Sequence, residues 1–337
     1  MRKLTVLFAI ALFMLVFPVS GGAGEIKWED VGSTKIVLFY PGVVSWEFLT
    51  SQDHRLGGRD IKRVRKDCRH CHLSKSGELD LEADDIVAGA IKMKRSHKAF
   101  EPEPIPGKKG TMRADVKAVY DKDYLYIKVD WAAKGTAWRQ AKGPGSVPDR
   151  VSAQLNATDK HFIRYGCFIS CHNDLNSMPG SPSKKEVSAN PYYGKLGRDD
   201  VRLYAFYARD SWAKNKGKAE LAGILKERGR IDLRSVKLED GRAESLNGWI
   251  FDDRRWEEKG GQEATGSWSG GRYSVVFKVR LDSDDPFDVK VSDAGVLSAG
   301  FAIHADGAKK RKHYVSFPYT IGVGVGGVDI TAVKLPD

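Results

Sequence analysis

The chain has 337 residues, 55 Lys and Arg against 44 Asp and Glu for a formal net charge of +11, and 4 cysteines. Its basic residues are dispersed rather than gathered into a groove-reading element, which excludes nucleic acid as the expected partner and favours an acidic protein or anionic lipid headgroups. Aromatics at 10% and 35 glycines point away from a helical bundle and towards a β-rich fold.

Residues 1–23 begin with Arg2-Lys3, run apolar from Leu4 to about Val19 and end in small residues. That order of segments reads as a Sec-type signal peptide, with an uncleaved membrane anchor as the alternative, although the apolar run falls short of the ~20 residues that span a bilayer. The expectation is an exported, periplasmic chain whose mature form starts near Ala23, Gly24 or Glu25. Residues 24–108 read as a small α- and loop-rich N-terminal module. Within it "GGRDIKRVRKDCRHCH" (57–72) predicts a helix running into a cysteine motif. "DLEADDIVAGAIKMKRSH" (80–97) predicts a second helix, with acids early and bases late as the macrodipole prefers. The Pro/Gly-rich "EPEPIPGKKG" (101–110) predicts a boundary, after which residues 109–337 change to period two.

"VKAVYDKDYLYIKVDW" (116–131) predicts a hairpin turning at Asp121-Lys122-Asp123, with Leu125, Ile127, Val129 and Trp131 on one face. Strands are expected at 201–208, 247–251, 272–281, 296–304 and 312–323, and the stretch 132–200 reads as a large excursion from them. Many short strands separated by turn signals predict a mainly β, antiparallel sandwich. "GVGVGG" (322–327) is not followed by Gly-Lys-Ser/Thr, so it reads as a strand with tight turns rather than a phosphate loop.

All four cysteines fall in two motifs, "CRHCH" (68–72) and "CFISCH" (167–172), so none remains for a structural disulfide. Cys-x-x-Cys-His is a covalent haem attachment signature. Cys68 and Cys71 would reach the two vinyl groups on one porphyrin edge, and His72 would swing under the ring to ligate iron. Cys167, Cys171 and His172 repeat the arrangement with one more residue between the thiols, which is expected to loop outward. Zinc would need four ligands, and His70 and His72 lie too close to Cys68 and Cys71 to complete one tetrahedron. A thioredoxin-type Cys-x-x-Cys would need a strand-to-helix setting that is missing here. The motifs therefore predict two covalently bound haem c groups, with His70 an exposed turn residue.

The segments "GCFISCHNDLNSMPG" (166–180) and "GFAIHADGAKKRKHYVSFPYTIGV" (300–323) resemble the haem-binding domain of ethylbenzene dehydrogenase gamma subunits and their cytochrome c relatives. "PDRVSAQL" (148–155) and "YDKDYLYIKVDW" (120–131) fit the same pattern, and "WEFLTSQDHRLGG…CRHCH" resembles the added haem c module of some relatives. The resemblance implies a DOMON-like β-sandwich holding a haem at one end, in a periplasmic electron-transfer subunit or cytochrome. The gamma subunits bind haem b through methionine and lysine, whereas this chain brings its own thiols and histidine.

For the sixth ligand of the first haem the candidates are His54, Met93 and His97. His54 has no evident core role in polar surroundings, and the resemblance also favours it. For the second haem they are Met178, His304, His313 and His161. His304 and His313 would stand together at the base of one hairpin, so they rank ahead of Met178, which lies too soon after His172 to reach the opposite ring face. The reading is a dihaem electron carrier whose partners are a quinol-oxidising cytochrome, a molybdoenzyme or a terminal reductase. The alternative is a haem enzyme with one open coordination position, of peroxidase or oxyanion-reductase type.

Overall fold

The computed structural model describes residues 26–40, 54–64, 66–88, 90, 107–141, 143–170, 183–189, 191–195, 197, 199, 205–211, 214–256, 263–291, 295–308 and 313–336. In chain order the strands are β1 (Thr34–Phe39), β2 (Thr111–Tyr120), β3 (Tyr124–Ala132), β4 (Asp149–Asn156), β5 (Arg209–Ser211), β6 (Lys214–Asn215) and β7 (Ile231–Glu239). They continue as β8 (Arg242–Ile250), β9 (Arg254–Trp256), β10 (Ala264–Ser269), β11 (Arg272–Arg280), β12 (Val296–His304), β13 (Tyr314–Ser316), β14 (Tyr319–Val323) and β15 (Ile330–Lys334).

The expected hairpin is β2–β3, in register at Val116 and Val129. Asp121 fixes its turn by accepting from the amides of Asp123 (2.8 Å) and Tyr124 (2.7 Å), the local bonding that makes aspartate a turn residue. Leu125, Ile127, Val129 and Trp131 are fully buried on one face, as alternation requires. β11 and β12 likewise occupy the segments read as strands.

The fold is mainly β. Among the described residues 13 strands form one sheet, ordered β10-β11-β3-β2-β1-β13-β12-β4-β7-β8-β9, with β14 beside β12 and β15 beside both β14 and β2. The two layers are halves of this single sheet, which rolls until β10 meets β8. A Cβ on Gly266 of β10 would lie 2.8 Å from Leu238, Ser245 donates to the Ala264 carbonyl at 3.5 Å, and Asn247 donates to Glu263. Pairing is antiparallel except along β15, which runs parallel to β14 and β2. β4 and β12 are buried along almost their whole length, and the segment 160–170 packs on one of their faces through Ser170 to Gln154 and Cys167 beside Gly300.

Several elements differ from the sequence expectation, each for a local reason. The helix predicted over 57–72 is broken: turns at Arg55–Arg59 and Asp60–Val64 end before Asp67, which starts a separate helix at Cys68–His72 by accepting the His70 amide. The stretch 132–200 is not only an excursion, since it contains β4, a central strand. Phe206–Ala208 is a 3-10 turn rather than strand. The strand expected at 312–323 is split at Phe317-Pro318, because proline has no amide to give the ladder. Ser316 Oγ repairs the gap by accepting the Phe301 amide at 3.0 Å. β1, from within residues 24–108, lies between β2 and β13, so part of the N-terminal segment is woven into the sheet. Residues 1–23, read as a signal peptide, and residues 91–97, read as part of the second helix, lie outside the described residues.

Candidate haem-binding sites

The first motif is a single helical turn whose geometry follows from its sequence. Asp67 accepts the His70 amide at 2.8 Å and caps the turn, and the basic residues Arg69, His70 and His72 follow. Cys68 is half-buried against the core, while His70 and Cys71 are exposed. Burial pushes the Cys68 thiol up to about 12, and the Asp67 carboxylate adds to the effect. The sulfur is therefore held as a neutral thiol, not as the thiolate on which dithiol exchange depends.

His72 Nδ1 lies 3.2 Å from the Asp80 carbonyl. A carbonyl only accepts, so Nδ1 carries the proton and the Nε2 lone pair is left for a metal. His54 faces this ring: the imidazole centroids are 6.2 Å apart and their planes differ by 18°. An iron between two imidazoles separates their centroids by roughly 6 Å if each metal–nitrogen bond is about 2 Å. The donor set thus fits a six-coordinate haem c. Gly57 makes the His54 position available, since a Cβ there would meet the ring at 2.5–2.7 Å.

This turn is fastened to the sheet. Arg69 donates to both Asp329 carboxylate oxygens, at 2.7 and 3.0 Å, and lies 4.9 Å over the Tyr319 ring. Asp329 also accepts from the Thr320 amide (2.7 Å) and hydroxyl (2.8 Å). Burial alone would raise the Asp329 carboxyl, but the Arg69 and Thr320 hydrogen bonds outweigh it and hold the group below its usual range.

The second motif is built differently. A short helix, Lys160–Tyr165, is capped by Asp159, which accepts the His161 and Phe162 amides at 2.8 Å each. Gly166, at φ 54°, turns the chain against Pro318 at the strand break, and Cys167 follows in a buried 3-10 turn. The bridge between the thiols does not loop outward. Phe168, Ile169 and Ser170 are all buried. Phe168 packs against Phe39 and Phe317 with centroids 6.0 and 6.1 Å away, and Ser170 Oγ donates to Gln154 at 2.6 Å. The three-residue bridge is a core-forming segment, which spacing alone did not reveal.

Cys167 lines a pocket with Arg150, Gln154, Gly300, Trp256, His304 and His313. His304 and His313 are 3% and 4% exposed, and their rings stack with centroids 4.6 Å apart at 17°. At 4.6 Å the rings are too close to flank one metal, whereas the 6.2 Å of the His54–His72 pair leaves room for one, so the second pocket offers iron a single imidazole. His161 does not line this pocket; it sits 3.8 Å from Asp159, and burial lowers its pKa, helped by Arg228, Lys160 and Arg164 against the opposing Asp159 carboxylate. Cys171, His172, Met178, Met93 and His97 lie outside the described residues.

The two motifs are neighbours in space. Tyr165, two residues before Cys167, donates to the carbonyl of Lys66, two residues before Cys68, at 3.2 Å. Sequence reasoning missed Arg69, Asp329, Tyr165 and the Ser170–Gln154 bond. Only Gln154 carried a signal, as part of "PDRVSAQL".

A family model described as ethylbenzene dehydrogenase matches residues 91–316. Cytochrome c-552 of Stutzerimonas stutzeri is 28% identical over 320 residues, covering 93% of this chain and 92% of its own. Cytochrome c-551 of Rhodocyclus tenuis is 23% identical over 310 residues, covering 91% and 98%. A family 9 carbohydrate-binding module from Caldicellulosiruptor kristjanssonii, solved with cellotriose, is 9% identical over 66% of this chain and 76% of its own, and its TM-score of 0.23 is too low to bear on fold or function.

Proposed function

This chain belongs to the ethylbenzene dehydrogenase family, and from that premise we propose that it is an exported c-type cytochrome that carries two covalent haems and relays electrons between proteins. The relatives named cytochrome c-552 and c-551 support a cytochrome-like electron-transfer role over nearly the whole chain. The observation that carries the proposal is the His54–His72 pair, set at the spacing of two axial imidazoles.

Bound haem supplies a one-electron iron couple. The chain's own residues anchor and orient it. Cys68 and Cys71 would hold the first porphyrin edge, His72 would ligate iron with its Nδ1 proton committed to Asp80, and His54 would supply a second imidazole. Cys167, Cys171 and His172 would do the same for the second haem, with His313 or His304 as the further candidate ligand. The Tyr165–Lys66 hydrogen bond supports a relay inside the chain, because the segments leading into the two motifs are in contact. The partners we propose are a quinol-oxidising cytochrome, a molybdoenzyme or a terminal reductase, docking against the chain's net positive surface.

The test is the visible spectrum of protein matured with c-type machinery, recorded reduced with and without carbon monoxide, with haem counted per chain by alkaline pyridine extraction. Two haems and no response to the gas is the expected result. One haem would remove the longer motif as an attachment site. Two haems with one shifting would favour an enzyme with an open coordination position.

A further inference from the structure

One charged side chain in the second pocket lacks the partner that burial demands. Arg150 is 6% exposed, lines the pocket with Cys167, His304 and His313, and its Nε has no hydrogen-bond partner. The two carboxylates whose charge Arg150 feels are both engaged elsewhere: Glu244 is ion-paired at 3.0 Å to Lys237, the residue opposite Arg150 on β7, and Glu239 accepts from the Ser146 hydroxyl at 3.4 Å. Buried guanidinium groups are ordinarily matched by an anion, because an uncompensated charge in a low-dielectric site is costly.

The register of β4 and β12 says where that anion would sit. Gln154 faces Gly300, Ser152 faces Ala302 and Arg150 faces His304, so these side chains share one face of the sheet. Cys167 lies at the Gly300 end, its amide 3.5 Å from where a Cβ on that glycine would be. Arg150 lies four residues back along β4, about 13 Å at the usual rise. Thiols bind the vinyl edge of a porphyrin, and its two carboxylates project from the opposite edge. A cysteine at one end of a floor made of Gly300, Ala302 and Ser152, with an unmatched arginine at the other, is the layout that edge-to-edge chemistry calls for.

We propose that Arg150 anchors a carboxylate of the haem attached at Cys167 and Cys171, as a positioning residue for that group. The inference rests on the second haem of the functional reading. A guanidinium can hold a carboxylate through two parallel hydrogen bonds, and its charge disfavours the ferric state of the neighbouring haem.

The test is redox titration of the holoprotein, following both haems, in wild type, Arg150→Gln and Arg150→Lys. Arg150→Gln is expected to lower the midpoint potential of one haem by about a tenfold change in its oxidation equilibrium, ~59 mV for one electron, and to leave the other unchanged. Arg150→Lys, which keeps the charge, should recover most of the shift and also reports if the glutamine variant does not fold. Two haems whose potentials are the same in all three proteins overturn the proposal and leave the functional reading standing. A single haem in the wild type overturns both. Added acetate separates the two sources of a carboxylate: an arginine already holding the porphyrin's own group should give no response. A potential that moves with acetate in wild type but not in Arg150→Gln would mean the site takes a free anion, and would also overturn the proposal.

Discussion

The two cysteine motifs differ less in spacing than in what holds them. The first is a capped surface turn tied to the sheet by one charged clamp, Arg69 to Asp329, with the other of its two bridging residues, His70, exposed. The second is an interior segment whose bridge is three buried residues, two packed in the core and one bonded to β4. That is the difference between a motif laid on a fold and a motif that helps to build it. It follows that damage to the second bridge should be felt as instability, and damage around the first as altered haem ligation.

The largest expected effect is therefore Phe168→Ala. It leaves a cavity among Phe39, Phe317 and Ile169, and losses of about 3–5 kcal/mol are usual for such a truncation. Denaturant unfolding of the holoprotein measures it. A loss below about 1 kcal/mol would mean that the bridge is not part of the core, and the contrast between the motifs would collapse.

Breaking the clamp comes next. Arg69→Met strands Asp329 among partly buried neighbours, and hydrogen bonds to charged groups of this kind are worth roughly 1.5–3 kcal/mol. The same pair gives the pH dependence. Asp329 is held below its ordinary value of 3.8 in the folded protein, so it binds protons less readily there than when unfolded. Its contribution is present above that value and is lost as pH falls through the lower folded one. The stability gap between wild type and Asp329→Asn should accordingly close on acidification below about pH 4. A gap that is constant with pH would show that the carboxylate's charge is not what matters.

How legible these features were in the sequence follows from how local each one is. The β2–β3 hairpin and strands β11 and β12 could be read directly, because alternation and turn chemistry are local, and so could the meeting of His304 with His313 across one hairpin. β4 was not read as a strand, since a strand buried on both faces loses the period-two signal on which the reading depends. The pairing of β1 with β13, the Arg69–Asp329 clamp and the Tyr165–Lys66 contact join residues about 100 to 280 apart. No spacing rule anticipates such pairs. The break before Asp67 did have a local sign, an aspartate three residues before His70, but the basic run masked it.

Removal of the sixth ligand is expected to cost little stability and much identity. His54 is half-buried, so His54→Ala should cost less stability than the truncation of the fully packed Phe168. It should, however, make one haem respond to carbon monoxide while the other does not. If both haems remain silent to the gas, His54 does not ligate, and the 6.2 Å ring spacing has another cause.

The smallest change is the most discriminating. Gly57 sits in the turn Arg55–Arg59 with no left-handed φ, and glycine-to-alanine at such a site ordinarily stabilises a helix by up to about 1 kcal/mol. Here the new methyl would fall 2.5 Å from His54 Cε1. An imidazole with no other duty would rotate aside, and the variant would gain the helical increment with its spectrum unchanged. An imidazole bound to iron is held in place and cannot rotate away, so the clash must be met by lengthening the metal bond or bending the turn. Gly57→Ala is therefore expected to be no more stable than wild type and to gain partial carbon monoxide binding at the first haem. The sign of the stability change, measured alongside the spectrum, separates a ligand from a bystander without deleting the histidine.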